Sequence, residues 1–186
     1  MLASIMSSLK STAEMERLDR LASRKGGGLA VVYGRRRIRL LLEWSRQHGG
    51  LYTVAEQSAA EVQRRDFARV IAERLPGFGD VEYPDWRALL TRLARDAEAA
   101  AWRGPLVIDE LPFLVAASPE LPSLLQRWVD HEAERARLII ALSGSSQQLM
   151  EKLIAGNAPL YGRAREILDL GPLVPCPSPT EEERAR

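Results

Sequence analysis

The sequence predicts an α/β protein of three layers around a mainly parallel sheet, and three observations carry that expectation. Short apolar runs at 29–33, 51–54, 105–109 and 138–142 alternate with segments whose apolar residues recur at helical spacing. The first of these runs is apolar on both faces, as a strand covered by helices above and below must be. Two of the runs end in reactive groups: 29–33 enters Gly34-Arg35-Arg36-Arg37, and 105–109 ends in Asp109-Glu110.

The elements follow in order. Met15, Leu18 and Ala22 share one face of a helix over 13–25, which Gly26-Gly27-Gly28 stops before the first strand. Leu40, Leu41 and Trp44 mark a short helix that ends at Gly49-Gly50, and Leu51-Tyr52-Thr53-Val54 is the second strand. Ser58 with Glu61 forms a capping-box pattern ahead of a helix carrying Phe67, Val70, Ile71 and Leu75. A Gly- and Pro-rich loop fills 76–84. Asp85 then caps a helix with Trp86, Leu89, Leu90 and Leu93 inward, ending near Gly104. After the strand at 105–109, Ser118-Pro119 starts a helix with Leu121, Leu124, Leu125 and Trp128 at helical spacing. The strand at 138–142 leads into Ser143-Gly144-Ser145-Ser146, a helix over 147–155 and a last strand at 166–170. Trp86, Trp102 and Trp128 read as packing residues, and His48 and His131 as surface residues.

Composition narrows the classes. The chain has 186 residues, enough for one domain with a sizeable core. The expected division is a flexible N-terminus at 1–12, a core domain at 13–173 and a disordered tail at 174–186, where Pro175, Pro177 and Pro179 precede Glu181-Glu182-Glu183. A net charge of +1 argues against nucleic acid as a partner of this domain. One cysteine, Cys176, excludes an intrachain disulfide and a cysteine-based metal cluster. No apolar run reaches the roughly 20 residues of a membrane span, so no membrane partner is expected and the cytoplasm is the default compartment.

Phosphate-binding loops work through glycines that let backbone N–H groups curl around phosphate, a lysine on the β- and γ-phosphates, and a hydroxyl on magnesium. Gly34 supplies the first position of that pattern, but the chain runs on into Arg39-Leu40-Leu41-Leu42 without Gly-Lys-Thr. Inserting those three residues between Ile38 and Arg39 would complete the loop and leave a normal helix behind it, so a deletion explains the flanks better than substitution does. Arg35, Arg36, Arg37 and Arg39 are candidates for phosphate binding by themselves; a solvated basic turn is the simpler reading, because a triphosphate also needs a backbone cradle.

Asp109 and Glu110 at a buried strand end fit a Walker B pattern. There Asp109 would hold Mg²⁺ through water and Glu110 would orient the attacking water as general base; the simpler alternative is an acidic cap. Ser143 and Ser145 are candidate phosphate sensors or turn residues. Arg163, after Tyr161-Gly162, is a candidate phosphate or neighbouring-subunit contact, or an exposed turn arginine.

Taken in order, Val32-Tyr33-Gly34-Arg35-Arg36-Arg37, Leu106-Val107-Ile108-Asp109-Glu110-Leu111-Pro112, Leu142-Ser143-Gly144-Ser145-Ser146 and Pro159-Leu160-Tyr161-Gly162-Arg163 resemble the archaeal-type ATPases, P-loop NTPases related to AAA+ and STAND proteins. The resemblance covers about residues 14–173. It implies a five-stranded sheet in the order 5-1-4-3-2, ATP and Mg²⁺ as ligands, Glu110 as the hydrolytic residue, Ser145 or a neighbour as sensor and Arg163 near the phosphates. The missing Gly-Lys-Thr departs from the family and leads to the expectation of an ATP-binding domain with weak or lost binding and hydrolysis. The family's C-terminal lid, its usual nucleotide-responsive partner, is not expected here either. The alternative is a non-catalytic remnant that serves as a protein-interaction scaffold, with a protein partner or a second copy of itself.

Overall fold

A computed structural model describes residues 2–34 and 36–171. Among them are five strands and seven α-helices, which alternate as the sequence predicts. The strands are β1 (Gly28–Gly34), β2 (Leu51–Val54), β3 (Leu106–Asp109), β4 (Ile139–Gly144) and β5 (Ala164–Leu170). They form one sheet in the order β2-β3-β4-β1-β5, with every pairing parallel. This is the expected order 5-1-4-3-2 read from the other edge.

Helices α1 (Leu2–Ala22) and α2 (Arg37–Gln47) cover one face. Their Leu18, Leu21, Leu40, Leu41 and Trp44 pack on Ala30, Val32, Val107, Ile139 and Ala141, alternate residues of the central strands. The other face carries α3 (Ala60–Ala72), α4 (Trp86–Ala99), α5 (Leu111–Ala117), α6 (Leu121–Trp128) and α7 (Gln147–Ile154). Phe67, Trp86, Leu89, Leu93, Trp128 and Met150 from these helices close over Leu29, Val31, Ile108, Ile140 and Leu142. Two apolar layers on one parallel sheet are why the central strands read as unbroken apolar runs.

Several boundaries differ from the sequence reading. The first helix begins at Leu2 and not at 13. Ser58 is not a cap: α3 starts at Ala60 with Ala59 before it and no side-chain cap, which leaves Ser58 one residue too early to reach the first turn. Asp85 caps α4 as expected, its carboxylate accepting from the Ala88 N–H at 2.8 Å. That helix ends at Ala99, five residues short of Gly104. The helix expected at Ser118-Pro119 begins at Leu121, and Ser118 instead ends α5, which the sequence reading missed. A π-helical turn, Val129–Ala133, continues α6. The tail at 174–186 lies outside the described residues.

Candidate functional site

Parallel strands bring their carboxyl ends to one edge of a sheet, and crevices there are where such folds place ligands. Register carries Gly34, Asp109 and Ser143 to that edge: Ile108 lies level with Leu142, and Val32 with Ser143. Gly34 has φ +104°, and a Cβ there would collide with the carbonyl oxygen of Leu170 on β5, so only glycine suits the position.

Only Arg35 and Arg36 separate Gly34 from the start of α2. Arg35 lies outside the described residues. Arg36 precedes the helix without a side-chain cap, and Arg39 is exposed on it. Arg37 is the first helical residue and is buried, with 4% of its surface exposed. It stands three, four and seven residues before Leu40, Leu41 and Trp44, on the same inward stripe of α2.

The Arg37 guanidinium reaches the acid pair. Its Nε donates to Asp109 Oδ1 at 2.9 Å, its Nη1 to the Gly34 carbonyl at 3.2 Å, and its Nη2 to Glu110 Oε1. Asp109 Oδ1 also accepts from Ser143 Oγ at 2.6 Å and from the Glu110 N–H at 2.9 Å. Asp109 Oδ2 accepts from the Tyr52 hydroxyl. Glu110 Oε2 accepts from both the N–H and the Oγ of Ser145, each at 3.0 Å. Glu110 itself is in the left-handed region, φ +55° and ψ +41°, where a non-glycine residue is uncommon.

Burial alone pushes the Asp109 carboxyl upward. The hydrogen bonds from Ser143, Tyr52 and Arg37, with the Arg37 charge, outweigh that and hold it below the ordinary aspartate value. Tyr52 moves the other way: desolvation first, then its bond to Asp109, raise its hydroxyl far above the ordinary tyrosine value. Sequence reasoning missed Tyr52. The signal was the pairing of β2 with β3, in which Tyr52 lies level with Val107, two residues before Asp109 and on the same face.

Of the residues expected at the site, Gly34, Arg37, Asp109, Glu110, Ser143 and Ser145 come together. Arg163 does not. It precedes β5, whose first residue, Ala164, pairs with Leu29 near the start of β1. At about 3.3 Å per residue that is on the order of 15 Å along the strand from Gly34. Its guanidinium is paired with Asp130 in the π-helical turn, at 2.7 to 3.0 Å. A cleft of about 580 Å³ opens beside it at this amino end of the sheet, lined also by Arg20, Arg24 and Glu134.

The resemblance implies magnesium at Asp109, but the residues as arranged do not fit the ion. Each oxygen of both carboxylates already accepts at least one hydrogen bond, and a guanidinium lies between the two groups. Mg²⁺ demands oxygen ligands at about 2.1 Å in octahedral array. Among the described residues no three His, Cys, Asp or Glu side chains gather into a metal-ion cage, and no helix is long and apolar enough to cross a membrane.

No family model matches the sequence. An uncharacterised protein of Methanocaldococcus jannaschii, MJECL04, is 31% identical over 149 residues, 77% of this chain and 31% of that protein. Among solved structures, the Walker-type ATPase Paby2304 of Pyrococcus abyssi superposes with a TM-score of 0.65 at 20% identity, over 86% of this chain and 53% of that one. Cdc6p of Pyrobaculum aerophilum does so with a TM-score of 0.60 at 12% identity, over 85% of this chain and 44% of that one. The chain thus spans under a third of the curated relative and about half of each solved chain. In layers and strand order it has the α/β fold of the P-loop ATPases.

Proposed function

We propose that this chain is the ATP-binding domain of an archaeal-type P-loop ATPase in which the phosphate cradle of Walker A is lost, leaving ATP binding and hydrolysis weak or absent. The observation that carries the reading is the connection from β1 to α2. A phosphate cradle needs a run of free N–H groups bent around the anion. Here the helix starts after Arg35 and Arg36, and Arg37, which the intact pattern would keep in the loop, is drawn into the first helical turn.

In this reading Asp109 and Glu110 are the Walker B pair, with Ser143 and Ser145 as their positioning residues. Glu110 is the group that would orient water in an intact relative, and the Ser145 N–H and hydroxyl fix where its carboxylate points. The satisfied acid pair also favours the second reading, a non-catalytic scaffold that meets a protein partner or a second copy. Activity, substrates and partners of a longer protein built on this domain belong to the same proposal.

Calorimetric titration with ATP and Mg²⁺ tests it, on the chain as it stands and on a variant carrying Gly-Lys-Thr inserted after Ile38. The expected result is little or no binding by the unmodified chain and recovered binding in the variant. Glu110→Gln in the restored variant should keep binding and slow turnover. Tight binding by the unmodified chain that is lost on Arg36→Ala would replace this reading with arginine-based phosphate recognition. A folded insertion variant that binds nothing would leave the scaffold.

A further inference from the structure

We infer that the Arg37 guanidinium is this chain's own resident cation at the acid pair, and that it closes Asp109 and Glu110 to divalent metal. The inference rests on the preceding reading only in taking those carboxylates as the family's metal-side pair. It concerns what fills the pair now, whether or not nucleotide ever binds.

The oxygen count carries it. A carboxylate offers about four lone-pair sites. Asp109 accepts four donors: Arg37 Nε, Ser143 Oγ and the Glu110 N–H crowd Oδ1, and the Tyr52 hydroxyl takes one of the two sites on Oδ2. Glu110 gives Oε1 to Arg37 and Oε2 to Ser145. One guanidinium therefore bridges both acids through different nitrogens while its remaining arm holds the Gly34 carbonyl, so the cation is fastened to β1 and β3 at once. A divalent ion would have to share Asp109 Oδ2 with the Tyr52 hydroxyl or Glu110 Oε1 with Arg37, and in either place sit beside the positive charge of the guanidinium that bridges the two acids. Mg²⁺ also gives up its own water reluctantly. Arginine cannot make room by losing its proton, since it stays charged throughout the accessible pH range.

Arg37 is there because of where α2 begins. Its place on the inward stripe with Leu40, Leu41 and Trp44 aims the side chain under the sheet edge. With three residues added before Arg39, Arg37 would fall in the loop and off that stripe. The same short turn that removes the phosphate cradle thus supplies the substitute for the metal.

Mn²⁺ binding, read by loss of the free-ion electron paramagnetic resonance signal without nucleotide, tests the inference on the full chain. The unmodified chain is expected to bind no Mn²⁺ at millimolar concentration. Arg37→Ala should bind it roughly tenfold or more tighter, and Asp109→Asn added to Arg37→Ala should abolish the gain. Mn²⁺ should also raise the melting temperature of Arg37→Ala and leave that of the unmodified chain in place. Should Arg37→Ala fail to fold, Arg37→Gln, which keeps an amide donor, is read the same way. Mn²⁺ binding by the unmodified chain at the strength of the variant overturns the inference, and so does a folded Arg37 variant that binds none. Neither outcome bears on whether the Gly-Lys-Thr insertion restores ATP binding, so the two proposals fail separately.

Discussion

Asp109 is 1% exposed and ionised, a combination that holds only because four donors surround it. Its folded-state carboxyl lies below the ordinary value, so the stability it contributes is complete above the unfolded value near pH 4 and is lost as pH falls through the lower folded value. Urea denaturation between about pH 5 and pH 2 should therefore show a falling stability limb, and Asp109→Asn should flatten that limb while lowering stability at neutral pH. An unchanged limb in Asp109→Asn would assign the acid sensitivity to other carboxylates. At this scale the sequence was half legible. Gly34, Asp109, Glu110 and Ser143 could be placed because each lies at or beside the end of a buried strand, but Arg37 was read as one of four loop arginines. Extending the stripe of Leu40, Leu41 and Trp44 back by one turn lands on Arg37, so the helical period held the answer once the helix start was known. Arg163 stayed open between a phosphate contact, a subunit contact and a turn arginine because an arginine before a strand carries no mark of which end of the sheet it occupies; its partner, Asp130, comes from a helix-to-π transition that no pattern announced.

Helix starts show which local signals prevail. Asp85 precedes Trp86 in extended conformation, φ −151° and ψ 171°, and satisfies the Ala88 N–H. Asp85→Ala should cost about 1 kcal/mol, measured as a shift in the chemical-denaturation midpoint with unchanged slope; no shift would mean that burial of Trp86 alone fixes the start. Ser58 carries the same chemistry but stands one residue before the cap position, which Ala59 fills without a side-chain bond. A capping residue and a start one position away are both compatible with the pattern, so the sequence alone does not fix the boundary to the residue. The helix Leu111–Ala117 escaped notice for a related reason. It is a single short apolar stretch with Pro112 in its first turn, where proline is compatible with a helix, and it follows Glu110 without any intervening loop.

The whole molecule is one sheet shared by two apolar layers, with β1, β3 and β4 contributing alternate residues to each. Damage to either layer should therefore reach the other. Leu41→Ala beneath the sheet and Leu89→Ala above it both empty fully buried sites, and each should cost about 2–5 kcal/mol. In each variant, tryptophan fluorescence and far-ultraviolet circular dichroism should trace one coincident unfolding transition; separated transitions would show that the layers melt independently. Strand alternation and doubly apolar runs made the layers readable from the sequence, and the strand order came with the family resemblance. Which helix lies on which face was not readable, since α2 and α4 carry similar apolar stripes and only the crossovers sort them. Close contact between Gly34 and the Leu170 carbonyl has a mechanical corollary. The backbone leaving β5 rests on the turn that leaves β1, with no side chain between to cushion it. A side chain added at Gly34 would press on the Leu170 backbone, so the end of the last strand keeps its place only while the first strand ends in glycine.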